Sequence, residues 1–177
     1  MSIRYESLDA AVRSAMVREL ERDVANGTLY VSPGLTEAGR QAWPQLLREA
    51  AENHDDSWLA SELRSRGLMR TKEQRRKPKG GFTMAKVPHT APDTLAEGEF
   101  NRLYARGLCA EVLASGGTEV EVYRGKEVQN PRPESEAMIG RRLPAKKLLE
   151  DLRTSQGVEP ALGLPPGPNS GLTVRRA

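Results

Sequence analysis

The sequence has a single cysteine, Cys109, so no disulfide can form within the chain, and four-cysteine zinc or iron–sulfur arrangements are excluded. Its two histidines, His54 and His89, are far apart, and His89 stands beside prolines, so spacing does not support a catalytic pair. Aromatic residues are only 5% of the chain, so its cores must be built mainly from aliphatic side chains. No run approaches the roughly 20 apolar residues that span a bilayer, and Met1 to Glu6 lack the apolar centre of a secretory signal. With the lone cysteine, this predicts a cytoplasmic protein, or one within a particle assembled in the cytoplasm, without membrane association.

A strong excess of one charge is also missing. Lys and Arg number 27 against 24 Asp and Glu, a formal net charge of +3, so any contact with a polyanion must come from a local cluster. No phosphate-cradling glycine loop is present, because Gly116-Gly117 follow a helical pattern and precede a strand pattern, the reverse of the required order. No repeat of fixed period is visible, and no cofactor is implied.

What is there is an α+β pattern in two halves. In residues 1–68, Leu8, Val12, Met16, Leu20 and Val24 recur every fourth position between charged residues, with Asn26-Gly27 as a stop. Thr36 is placed to cap a second helix carrying Trp43, Leu46, Leu47 and Ala50, which Pro44 either divides or restarts. Asp55 and Asp56 precede a third helix with Trp58, Leu59, Ala60 and Leu63, and Gly67 lies beyond its end. The expectation is a helical bundle burying both tryptophans. A helix-turn-helix use of the second and third helices is permitted by the spacing but not indicated by it.

Residues 69–93 read as a basic linker containing Pro and Gly, an extended hinge between the halves. The remainder, 94–177, reads as an α+β module with a small sheet of two or three strands. Thr94 and Glu97 are spaced for a capping box before a helix with Phe100, Leu103, Tyr104, Leu108 and Val112. Residues 118–124 alternate at period two as a half-buried strand, and Lys126 to Val128 are its expected partner across a turn at Gly125. Pro133 and Pro144 each open a helix, the second with Leu148, Leu149 and Leu152 on one side. A Pro/Gly-rich tail follows, and Leu172 to Val174 can add a terminal strand.

The hinge is the strongest candidate site. Arg70, Lys72, Arg75, Arg76, Lys77 and Lys79 stand against the single acid Glu73, and clustered cations gain by releasing counterions when they meet phosphates, whether DNA or RNA, without regard to base sequence. A solvated linker held extended by its charge has the same composition. Tyr123, Arg124 and Lys126 are placed to extend such a surface. A metal-dependent nuclease would use Glu119 or Glu121 with Lys126, although alternating glutamates also describe the wet face of a strand. His54-Asp55-Asp56 is better explained by capping than by metal binding, and Cys109 by burial than by nucleophilic chemistry.

The charged stretch Arg132, Glu134, Glu136, Arg141, Arg142 offers an assembly surface or merely local ion pairs. The expected function is a non-enzymatic binding or assembly protein that touches nucleic acid through its hinge and contacts protein partners or further copies of itself. The alternatives are a structural component of a larger particle, of the phage head or decoration type, and the nuclease.

Overall fold

A computed structural model describes residues 2–155 and 170–177. The first helix, α1 (Ala10–Asn26), starts where the Asp9 carboxylate accepts a hydrogen bond from the Val12 N–H at 3.0 Å. It stops at Gly27, whose φ of 66° suits a residue without Cβ. Its buried face is Val12, Ala15, Met16, Glu19, Leu20 and Asp23, while Val24 is left exposed. A strict four-residue repeat advances about 40° per step around a helix of 3.6 residues per turn, so the apolar series read from the sequence rotates away from the core. Two acids take the inward positions instead.

The second helix, α2 (Glu37–Asn53), is capped by Thr36, whose hydroxyl accepts from the Gly39 N–H at 3.0 Å. It runs through Pro44 without division. Trp43 is fully buried with its indole N–H donated to the Tyr30 carbonyl at 2.9 Å. Truncating such a side chain to alanine costs about 3–5 kcal/mol. The third helix, α3 (Asp56–Ser65), is capped by Asp55 through the Trp58 N–H at 2.9 Å. Trp58 is only half-buried and stacks on His54 with ring centroids 4.3 Å apart, so one tryptophan rather than both enters the core.

The expected extended crossing folds back on itself. β1 (Lys72–Arg76) pairs antiparallel with β2 (Phe82–Lys86), with Lys72 opposite Lys86, Gln74 opposite Met84 and Arg76 opposite Phe82. The reversal depends on Gly80 and Gly81, with φ of 92° and 78°, and is closed by Lys77 N–H donating to the Gly81 carbonyl at 2.9 Å. The pair forms a two-stranded sheet of its own.

The central element is α4 (Ala91–Ala114), which packs on α1, α2 and α3. It begins ahead of the capping box read from the sequence. Pro92 lies in its first turn and Thr94 N–H already donates to the Thr90 carbonyl at 2.9 Å, so Thr94 is inside the helix and has no cap to make. Glu97 is buried instead, with one carboxylate oxygen 2.5 Å from Lys126 Nζ.

A three-stranded sheet covers the other flank of α4, with β3 (Glu119–Arg124) between β4 (Arg142–Pro144) and β5 (Leu172–Arg176). The hairpin expected between β3 and residues 126–128 does not form. The backbone of Gly125 is already used: its N–H donates to the Gly171 carbonyl and its carbonyl accepts from Arg4 N–H, both at 2.9 Å. The short α5 (Pro133–Glu136) and the amphipathic α6 (Ala145–Thr154), which buries Leu148, Leu149 and Leu152, complete the described structure. One apolar cluster runs from Val12 through Trp43, Leu59, Phe100 and Leu148 to Val174, drawing residues from both sides of 69–93. Among the described residues no helix is long and apolar enough to cross a membrane. The expected Pro/Gly-rich tail lies largely outside the described residues.

Candidate nucleic-acid interface

Strand geometry sorts the basic segment onto two faces, because successive side chains of a strand point to opposite sides. Lys72, Gln74 and Arg76 of β1 share one face with Phe82, Met84 and Lys86 of β2. Glu73 and Arg75 share the other with Thr83 and Ala85. On that second face Glu73 and Ala85 are half-buried, and Arg75 is tied to Glu73 with Nη2 2.5 Å from Oε1. The first face is open throughout, with Phe82 at 63% and Met84 at 62% exposure.

The cations differ in what they are free to do. Among the described residues, Lys72, Arg76, Lys77, Lys79 and Lys86 have no carboxylate within ion-pair distance. Arg70 belongs to the scaffold: its Nε donates to the Leu35 carbonyl at 3.2 Å and its backbone N–H to the Gly34 carbonyl at 2.8 Å. These bonds fasten the hairpin's first strand to the start of α2. At the other end of the hairpin, Val87 N–H donates to the Thr71 carbonyl at 2.9 Å. The hairpin therefore leaves the body from a fixed root.

Tyr123, Arg124 and Lys126 do not join this surface. Tyr123 is buried, and its hydroxyl donates to the Arg4 carbonyl at 2.5 Å while accepting from the Glu6 N–H at 2.8 Å. Arg124 faces Glu136 at 3.7 Å, and Lys126 turns inward to Glu97. The residues of the nuclease alternative separate as well. Glu121 accepts from Arg175 at 2.6 Å and Glu119 faces Arg142 at 4.0 Å, while Lys126 meets Glu97. Among the described residues no group of three or more His, Cys, Asp or Glu is gathered for a metal. Cys109 is buried in α4, and burial pushes its thiol up to about 12, far from a nucleophile's range.

Phe82, Met84, Gln74 and Lys86 are the members of the face that composition does not single out. The signal for Phe82, Met84 and Lys86 was period-two alternation in Phe82-Thr83-Met84-Ala85-Lys86 on one side of Lys77-Pro78-Lys79-Gly80-Gly81, a turn-forming run; Gln74 has no such signal. Away from the hairpin, two acids are buried: Asp56 is pushed up to about 6 by burial, aided by nearby Asp55 and Glu97, and Glu97 is raised by burial despite Lys126. Compared with known proteins, the chain matches no family model, no curated protein and no solved structure.

Proposed function

We propose that this chain is a non-enzymatic binding protein that contacts nucleic acid through the β1–β2 hairpin. The observation that carries the reading is the concentration of Lys72, Arg76, Lys77, Lys79 and Lys86 on a projecting ribbon, with Glu73 its only acid and that acid held by Arg75. The chain's net charge is only +3, so attraction to a polyanion is local to this arm rather than spread over the surface. Each phosphate neutralised releases condensed counterions, and affinity then falls with added salt by a slope of about 0.9 per contact on a duplex.

The test is binding of the purified protein to labelled duplex DNA, single-stranded DNA and RNA across a salt series. It is run beside a variant with Arg76, Lys77, Lys79 and Lys86 all changed to alanine. Salt-sensitive binding that the variant loses supports the reading. Absence of binding at low salt, or binding that the variant retains in full, overturns it.

A further inference from the structure

The open face of the hairpin carries more than phosphate-binding charge. Its centre presents a planar amide, a guanidinium, a ring and a thioether, with Gln74 opposite Met84 and Arg76 opposite Phe82; a lysine pair, Lys72 and Lys86, closes the root end. Burying two large apolar side chains is favourable, yet Phe82 and Met84 are left 63% and 62% exposed, where alternation could equally have placed them on the half-buried face. Among the described residues, the side chains of Gln74 and Arg76 have no hydrogen-bond partner in the protein; only their backbones are engaged, in the pairing with β2.

Building on the nucleic-acid reading above, we infer that this face lies in the major groove of B-form DNA and reads base edges. Three physical fits support the choice. The B-form major groove, about 12 Å wide, admits a two-stranded ribbon, while the minor groove, about 6 Å wide, does not without deformation. The deep, narrow major groove of A-form RNA is closed to side chains. The face also holds side chains suited to base edges: arginine to the O6 and N7 of guanine, glutamine to the N6 and N7 of adenine, and phenylalanine against the methyl group of thymine. Lys77 and Lys79 in the turn and Lys72 and Lys86 at the root then sit at the two ends of the ribbon, where phosphates flank the groove. A five-residue strand rises about 16 Å, so the ribbon covers a site of about four to five base pairs.

The inference separates from the reading it rests on in a selection experiment. The full chain is incubated with a duplex library randomised over twelve positions, bound duplexes are recovered through several rounds, and the pool is sequenced. Wild type is expected to enrich a short motif containing guanine and thymine. The enriched duplex is expected to bind at least tenfold tighter than a scrambled one at the same salt, with netropsin in the minor groove leaving binding intact.

Gln74→Ala and Phe82→Ala are expected to lower the preference by about tenfold each without altering the salt slope, because neither contacts phosphate. Thr83→Ala, on the opposite face, is expected to leave both quantities unchanged. Circular dichroism and thermal melting of each variant confirm that an exposed substitution has left the fold in place. Salt-sensitive binding without an enriched motif, or binding displaced by netropsin, overturns the major-groove inference while leaving the nucleic-acid reading standing. No binding of the library at low salt overturns both.

Discussion

Arg106 and Asp23 form a two-pronged ion pair between α4 and α1: Nη1 lies 2.5 Å from Oδ2, and Nη2 lies 3.1 Å from Oδ1. The same guanidinium reaches Glu19 Oε2 from Nε at 3.1 Å and from Nη2 at 2.8 Å. Arg153 of α6 completes the cluster, with Nη2 2.5 Å from Glu19 Oε1. Burial alone would raise the Glu19 carboxyl, but hydrogen bonds from Arg153 and Arg106 hold it below its ordinary value. Three helices distant in sequence are thereby keyed to one another by groups that cannot be left unpaired.

Arg106→Leu is expected to destabilise the protein by about 3–5 kcal/mol, because Asp23 is left buried without its cation. Thermal unfolding should show a melting temperature lower by roughly 10 °C. Arg153→Ala should cost far less, about 1 kcal/mol, since Glu19 keeps Arg106. A melting temperature for Arg106→Leu within two degrees of wild type would rule out the cluster as a structural key.

Gly107→Ala sets helix propensity against packing. Alanine in a helix interior is favoured over glycine by about 1 kcal/mol. At this position, however, the added Cβ would stand 2.5 Å from Met16 Cγ and 2.8 Å from the Met16 backbone nitrogen, where α4 crosses α1. Because part of the obstacle is backbone, the helices must move apart, and the expected net effect is a loss of about 1–3 kcal/mol. Urea unfolding measures the sign directly. A gain in stability would mean that the crossing is looser than described.

Glu99 supplies a pH dependence. Burial pushes its carboxyl up to about 7, with Arg102 and Arg106 lowering it and Asp23 raising it. Its ordinary value is 4.5, so between about pH 4.5 and 7 the folded state holds a proton that the unfolded state has released. Stability from this group is therefore present at low pH and lost as pH rises through that window. Glu99→Gln removes the titration, and its stability relative to wild type is expected to improve on going from pH 4 to pH 8, by on the order of 1–3 kcal/mol. Denaturant midpoints at the two pH values check this; a difference that does not change with pH would contradict it.

Replacing residues 73–85 by a short glycine-containing turn is expected to leave the melting temperature within about 3 °C of wild type. The ends already meet through the Val87 N–H and the Thr71 carbonyl, and the hairpin adds little to the apolar cluster, which includes no residue from β1 or β2. The same variant should lose nucleic-acid binding. A large loss of stability would show instead that the hairpin supports the fold.

Local chemistry was legible in the sequence because its energies are set within a few residues. Thr36 and Asp55 cap their helices through backbone N–H groups three positions on, Gly27 closes α1, and the leucines of α6 share one face. The α+β class followed from such elements, and so did the basic character of residues 70–79. Even local signals misled where a neighbour took precedence, as when Pro92 started α4 ahead of Thr94.

Tertiary structure alone decided which elements meet. No periodicity in residues 119–124 specifies that β3 pairs with residues 172–176 and 142–144 instead of its sequence neighbours, and nothing around Glu19, Asp23 and Arg106 marks them as partners across the fold. Composition showed that the basic segment was charged, but only strand pairing put Gln74, Arg76, Phe82 and Met84 on one open face. The physical reason is the same in each case. Helix caps and turns are determined by bonds spanning a few residues, whereas strand partners and buried ion pairs are selected by how the whole chain packs around one core.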